Sequence, residues 1–222
     1  MKVTEAILLR KSIRGYKPDP VPKKVLEEIL KTASHSPSSN NTQPWEVSVI
    51  SGKALDEVRR GNVEMITSGS KPAPDVLHKP HEGIYRQRQV ELAVQIFGLM
   101  GITREDKDKR AQWLERGFRF FGAPVAIIVT VDASVAQPLA MLDLGAFCQS
   151  ICLAALECGL GTCIEDQGAM FPEVLRKVIG IPNSKQIVIS IAIGYPESGF
   201  PANKLQSKRE AVGNFATWYG FD

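Results

Sequence analysis

Five cationic side chains stand where they could hold an anion. Arg10, Lys11 and Arg14 fall within one short stretch, RKSIRGY at 10–16, and Lys208 and Arg209 lie together near the far end of the chain. Arginine grips a phosphate through paired N–H donors, lysine adds a point charge, and a hydroxyl such as that of Ser12 adds one more donor. A third stretch, SPSSNNTQPW at 36–45, packs serine, asparagine and glutamine between two apolar runs. Such side chains donate and accept several hydrogen bonds each, which suits the edge of a planar, polar heterocycle. Pro37 and Pro44 fix φ near its two ends. Read separately, each charge cluster is a solvated patch and the loop an ordinary helix-to-strand turn. Their meaning depends on what the rest of the chain builds around them.

The other reactive side chains point elsewhere. Cys148, Cys152, Cys158 and Cys163 fall in one region, and the first two share a helix face. There is no CxxC and no histidine nearby, and the neighbours are Ala, Leu and Ile, so these read as buried free thiols and no metal site is expected. Of the histidines His35, His78 and His81, the last two lie in a loop, where a proton-shuttling role competes with plain solvation. A formal net charge of +3 over 222 residues is too mild to direct the chain to nucleic acid. No uninterrupted apolar window of about 18 residues suggests a membrane span. The opening MKVTEAILLRKSIRGY has a short apolar run followed by charge, which is not the pattern of a signal peptide. The expected location is the cytoplasm. An apolar share of 44% with 23% charged residues fits a globular core.

The elements that must position these residues follow from periodicity. Residues 2–9 read as a helix with Val3, Ala6, Ile7 and Leu9 on its apolar face, and KPDPVP at 17–22 is a stiff connector. A helix runs from Pro22 to about Ser34, with Val25, Leu26, Ile29, Leu30 and Ala33 at helical spacing. Trp45–Ser51 is a strand and Lys53–Glu64 a helix. Residues 67–82 lose periodicity and form a loop long enough for a lid. It should be mobile without ligand. Helices follow at Ile84–Met100, with Tyr85, Leu92, Ile96 and Leu99 inward, and at Arg104–Phe121. Ala123–Val131 and Gln186–Ile193 are continuous apolar runs rich in β-branched residues, the mark of strands buried on both faces. GTCIE at 161–165 is a short strand, and Phe171–Ile179 is a helix stopped by Gly180 and Pro182. Leu142–Cys158 is the most apolar helix. A helix apolar all round is buried on all sides, and a homodimer interface is the simplest cover in a chain of this size. Strands separated by helices make an α+β protein, a modest sheet with helices on both faces.

In order along the chain, RKSIRGY (10–16), SPSSNNTQPWEV (36–47), FFGAPVAI (120–127), LGTCIE (160–165), AIGYPE (192–197) and the basic pair at 208 and 209 resemble the nitroreductase family of FMN-dependent oxidoreductases. Within it the chain looks closest to aryl nitroreductases of the nitrobenzoate reductase type. The resemblance implies a three-layer sandwich around a mixed central sheet, in an intertwined homodimer whose C-terminal tail crosses the partner. It implies one FMN-binding domain over 1–222, with 67–102 as a lid or insertion over the active site. It implies FMN as cofactor and NADH or NADPH as donor. The acceptor would be a small aromatic nitro compound, a quinone or similar, used in a ping-pong cycle.

Carried over by position, Arg10, Ser12 and Arg14 would meet the phosphate and the flavin edge, with Lys11 acting through its backbone. Pro37, Ser38, Ser39 and Asn41 would lie along the flavin of the other subunit, while Gln43 and Trp45 look structural. Glu165, after Ile164, would offer its backbone N–H to flavin N5, Arg119 would stand near N1 and O2, and Lys208 and Arg209 would reach the phosphate. Flavin N5 carries the chemistry, so no catalytic side chain is expected. Tyr85 and Arg88, after the lid loop, would face the acceptor. The competing readings are an enone reductase, a reductive dehalogenase of halotyrosines, the flavin-fragmenting branch, and a flavin-free binding protein. The spacing of Glu82 and Tyr85 counts against the dehalogenase and the long lid against the fragmenting branch. The retention of both polar motifs counts against a flavin-free protein.

Overall fold

The computed structural model of the protein describes residues 1–77 and 79–221. The two continuous apolar runs become the centre of its sheet. Strands β1 (Glu46–Ser51), β2 (Val125–Asp132), β3 (Gly161–Glu165) and β4 (Lys185–Gly194) lie in the order β1-β2-β4-β3. The three pairings are antiparallel. The expected mixed character is confined to one parallel bridge, Ser12 to Thr162. There the 10–16 stretch touches β3 through Ile13 N to Thr162 O at 2.9 Å and then leaves it.

Seven helices surround the sheet among the described residues: α1 (Val3–Leu9), α2 (Lys23–Ala33), α3 (Gly52–Thr67), α4 (Gly83–Leu99), α5 (Lys107–Phe118), α6 (Pro138–Glu157) and α7 (Pro172–Ile179). Alternate residues of a strand face opposite sides, and here both sides are dry. Val125, Ile127, Val129 and Val131 of β2 join a core with Leu26 and Ile29 of α2 and Leu144, Phe147 and Ile151 of α6. Ala126 and Ile128 join a second core with Leu55 and Val58 of α3, Phe118 of α5 and Leu175 of α7. The three layers expected of an α+β sandwich are therefore present.

Several elements differ from their sequence reading. The helix expected at 104–121 stops at Phe118, because Phe120 and Phe121 take φ of 53° and 54°, which a right-handed helix excludes. The apolar side of α1 is bare: Val3, Ile7, Leu8 and Leu9 are exposed. In α4 only Ile96 is buried, while Tyr85 and Leu99 face solvent. Cys148, Cys152 and Cys163 are buried free thiols as expected, but Cys158 is exposed at the end of α6. By length and composition α6 is apolar enough to cross a membrane. Its buried residues, from Ala140 to Ala155, pack into the first core instead. Leu139 and Leu142 on its other side remain uncovered in the single chain.

The loop after α3 is tied down over its first half. Arg176 of α7 forms a two-pronged ion pair with Asp75 at 3.3 and 2.7 Å, and Ile187 N donates to the same carboxylate at 2.8 Å. Ala73 N also donates to Met170 O at 3.1 Å. The Asp75 bond falls where β2 and β4 slip register, between Val129/Ile189 and Thr130/Ile187. A bulge frees backbone groups from the ladder, and Asp75 takes up one of them. The contacts of Ala73 and Asp75 thus join this half of the loop to Met170, Arg176 and Ile187.

Candidate active site

The RKSIRGY stretch is held by backbone on one side and by a single side chain on the other. Ile13 N donates to Thr162 O, Lys17 N to Tyr195 O, and Tyr16 bridges Pro196. Asn203, only 6% exposed, fills the gap between. Its Oδ1 accepts from Arg14 N at 2.7 Å and Gly15 N at 3.2 Å, while its Nδ2 donates to Gly15 O at 2.7 Å and Glu197 O at 2.9 Å. Those four bonds use the full capacity of the amide donors and two lone pairs of its oxygen. Gly15 is required there because a Cβ would sit 2.1 Å from the Phe200 ring. Arg116 of α5 completes the clamp, donating to Arg14 O at 3.1 Å and stacking over Phe200 at 4.7 Å.

Held in this way, Arg14 faces a cleft of about 890 Å³, the size of a site for a cofactor-sized ligand. Its floor is the end of β3, Cys163 to Glu165, continued by Asp166 and Gln167; one wall is Trp113, Leu114 and Phe121. The opposite wall is Lys79, Pro80 and His81 from the loop with Arg86 and Gln89 from α4. Phe121 owes its place to the strained turn it sits in. Arg116 donates to Phe121 O at 3.3 Å, Arg59 donates to Arg119 O at 3.2 Å and to Ala123 O, and Asn62 donates to Phe118 O at 3.3 Å. Positive φ at a bulky residue persists only where surrounding contacts over-determine it, and these side chains do so.

Charge in the cleft is mainly positive. Arg14, Lys79 and Arg86 line it against Asp166 and the buried Glu165. Burial pushes the Glu165 carboxyl up to about 8 and the Cys163 thiol up to about 12, and holds the Tyr16 phenol well above its ordinary value. Burial opposes ionisation wherever no partner compensates, so these three groups add little negative charge near neutrality. The cleft combines apolar and aromatic walls, an open strand end and fixed cations, which suits a flat ligand with an anionic tail. Among the described residues no cluster of three or more His, Cys, Asp or Glu stands ready for a metal ion.

The expected site residues divide between this cleft and the opposite side of the chain. Arg14, Ile164 and Glu165 line it. Arg10 and Ser12 lie on the same stretch as Arg14 but not in the lining of the cleft: Ser12 bridges Thr162 of β3, and Lys11 is exposed. Pro37, Ser38, Ser39 and Asn41 lie on α6 instead: Ser39 N donates to the buried Asp143 carboxylate at 3.1 Å, and Pro37 borders a hollow with Ser150 and Ala154. Arg119 points out and pairs with Glu115 at 2.6 Å. Arg116, one turn earlier, is the cation that reaches the motif, because the helix ends before the Phe-Phe turn.

Tyr85 and Arg88 are not brought to the cleft. Arg88 pairs with Glu210 of the tail at 2.8 Å and stacks over Tyr85 at 5.9 Å, in a groove with Lys208 and Arg209. Arg209 folds back on Ser207 at 2.5 Å. The reason is helical phase. Residues 85, 88 and 92 share one side of α4 and 86 and 89 the next, and it is Arg86 and Gln89, joined at 2.6 Å, that face the cleft. His81 lines the cleft, and His78 lies outside the described residues. Arg86 follows the lid loop beside Tyr85 and Arg88, where an arginine is expected to face an acceptor carboxylate, and it is the one of the three that lines the cleft; Asn203, Arg116 and Asp143 are positions that spacing did not single out.

Comparison with known proteins bears on the family and the fold. A model described as the nitroreductase family matches residues 7–195. The chain is 32% identical to a 4-nitrobenzoate reductase of Pseudomonas putida, over 96% of this chain and 93% of that protein. It is also 32% identical to a chloronitrobenzene nitroreductase of Comamonas testosteroni, over 97% and 96%. Among solved structures it superimposes on an FMN and NADPH-dependent nitroreductase, NfnB, from Sphigopyxis sp. strain HMH. That match has a TM-score of 0.95 at 26% identity and covers 100% of both chains.

Proposed function

Because the chain belongs to the nitroreductase family, we propose that its cleft binds FMN and that the protein is an oxidoreductase taking hydride from NADH or NADPH and passing it to aromatic acceptors. Nitroaromatics come first among these, with quinones next. The observation that carries the reading is the cleft itself, with Arg14 and the 163–165 strand end at one boundary and Lys79 and Arg86 at the other. The residues fit the group. A flat ring needs apolar and aromatic walls, given by Phe121, Trp113 and Ile164, and a phosphate needs cationic and hydroxyl donors, of which Arg14 lines the cleft while Arg10 and Ser12 stand on the same stretch beside it in sequence. Bound FMN supplies an electron carrier that accepts and returns a hydride at N5.

The chain's own work is to place and surround that ring. Asn203 and Arg116 fix the backbone at Arg14. Arg14, Lys79 and Arg86 offset the negative charge that reduction brings. Arg86, rather than Arg88, is placed to meet a carboxylate on the acceptor. The loop residues 79–81 and α4 roof the cleft, in keeping with a lid within 67–102 of a single unit spanning 1–222.

The same reading includes a homodimer. Pro37 to Asn41 lie away from this chain's cleft, so a partner is needed for them to touch a flavin. The bare apolar residues of α1, α6 and the tail, among them Leu8, Leu142, Phe215, Trp218 and Tyr219, supply surface for it. The buried thiols Cys148, Cys152 and Cys163, free of disulfides, fit a cytoplasmic setting. Steady-state kinetics test the proposal. Donor and acceptor using one cleft in turn give parallel double-reciprocal lines. Lines that intersect, with both ligands bound at once, would overturn the shared cleft.

A further inference from the structure

One stripe of α6 holds the polar loop at three points. Residues 143, 147 and 150 follow one another at a helical turn's spacing and share one side of the helix. Ser39 N donates to the Asp143 carboxylate at 3.1 Å. The Trp45 ring stacks on that of Phe147, with centroids 4.8 Å apart and planes 2° from parallel. Ser36 Oγ lies 2.7 Å from Ser150 Oγ. The chain between Ser36 and Trp45 is thus pinned at both ends and once inside. Within it Asn41 N donates to Ser38 O at 3.0 Å and Gln43 N to Ser38 Oγ at 2.9 Å. Asn40, Asn41 and Gln43 take φ of 50°, 57° and 47°, which residues other than glycine keep only where their surroundings hold them there. The segment shaped in this way, residues 39–43, is exposed.

Asp143 is the member of the stripe that the fold itself does not call for. It is 8% exposed, and the other buried residues of α6 are apolar. Among the described residues the bond from Ser39 N is its one polar contact, and it forms no ion pair. A buried carboxylate without a counter-ion costs the fold more than one such bond returns. Its use therefore lies in the shape of the loop. The loop faces away from this chain's cleft. Leu139, one turn before Asp143 on the same stripe, and Leu142 beside it are both exposed, so the surface next to the loop is apolar and uncovered.

We propose that Asp143 is a positioning residue acting in trans: through Ser39 it sets residues 39–43 against the cleft of a second copy of this chain, where they complete the flavin site. The proposal rests on the cleft binding FMN. Asp143 itself stays beneath the loop and touches no part of the ring. The polar groups of 39–43 provide hydrogen bonds for a ring edge, and the Asp143 bond keeps them in place before the ring arrives.

Mixed dimers carrying Asp143→Ala and Arg14→Ala test this. With the two changes on different chains, one cleft keeps its own Arg14 and receives an unaltered loop. With both changes on one chain, neither cleft has both. Losing a bond to a charged group weakens binding by about tenfold or more. FMN titration should therefore find one tight site per dimer in the first arrangement and none in the second. One tight site in both arrangements, or one only where the changes share a chain, overturns the proposal. Asp143→Asn keeps an acceptor oxygen and should restore tight binding, whereas a loss equal to that of Asp143→Ala overturns the Ser39 bond as the cause. Should Asp143→Ala not fold, Ser39→Pro deletes the same donor from an exposed position, and the ψ of 154° at Ser38 suits a following proline. It should give the same two patterns. A wild-type protein that binds FMN as a monomer overturns the action in trans alone. A wild-type protein that takes up no FMN overturns both this and the reading it rests on.

Discussion

Arg86 and Arg88 stand two residues apart in α4 and meet different fates, one lining the cleft and the other paired with Glu210. Their roles should separate in kinetics. A charged hydrogen bond contributes about 1.5–3 kcal/mol, or about 10- to 150-fold in affinity. Arg86→Ala should therefore raise KM for a carboxylate-bearing nitroarene by at least about tenfold, with a much smaller change for an uncharged one. Arg88→Ala should leave that ratio alone. Equal effects of Arg86→Ala on both acceptors would remove Arg86 from substrate recognition. Glu165 carries a second prediction at this scale. Its carboxyl, held up to about 8 in the fold against an ordinary 4.5, keeps its proton where the unfolded chain has lost it. Its contribution to stability is then fully present below 4.5 and lost as pH rises through about 8. Between those limits the unfolding free energy of the wild type, read from urea titrations, should fall relative to Glu165→Gln by on the order of a few kcal/mol. Parallel curves would place the ionised carboxylate in the native state.

At the scale of elements, the Asp75 clamp is where the loop, α7 and the bulge of β4 meet. Both members of the ion pair are about four-fifths covered, with 18% and 20% exposure. Asp75→Ala leaves a largely buried guanidinium and a backbone N–H without their acceptor. The expected cost is about 2–3 kcal/mol, read as a lower urea midpoint, with new protease cleavage between α3 and α4. Unchanged cleavage would mean the loop is held by something else. Elements also divide what the sequence discloses from what it hides. β2 and β4 were legible because long β-branched runs have few other uses, and the cleft-lining Arg14 and Glu165 because they sit in the RKSIRGY and LGTCIE stretches. The bare faces of α1 and α4 were not, since periodicity tells which residues share a face and not what covers it. Arg119 was named from the FFGAPV stretch that follows it; that Arg116 is the cation reaching the motif depends on where α5 ends, which two phenylalanines at positive φ set without a mark in the sequence. Asp143 lay inside an apolar helix and Asn203 inside an unpatterned tail; both matter through backbone groups that only the fold brings near.

For the whole molecule, the account requires a second chain. Ala154 packs partly into the first core, so a charge there tests the fold as much as the interface. Leu142 is the cleaner probe, being 71% exposed in the single chain on the outer side of α6. In a monomer Leu142→Glu costs almost nothing, as surface changes usually stay within about 0.5 kcal/mol. In a dimer it buries an unpaired charge, which costs about 3–5 kcal/mol. Sedimentation should give the wild type about twice the 24.4 kDa of one chain, and the variant one chain with its flavin weakened. A variant that stays dimeric and yellow would move the interface off α6.

Whether the cleft holds a working flavin is read from the visible spectrum of the purified protein, followed anaerobically while NADH or NADPH is added and then a nitroarene. The account predicts a yellow protein whose flavin bands bleach with the nicotinamide, about one equivalent per site, and return when the nitroarene is added. A protein that is colourless and takes up no FMN, or whose flavin is not bleached by either nicotinamide, would contradict it.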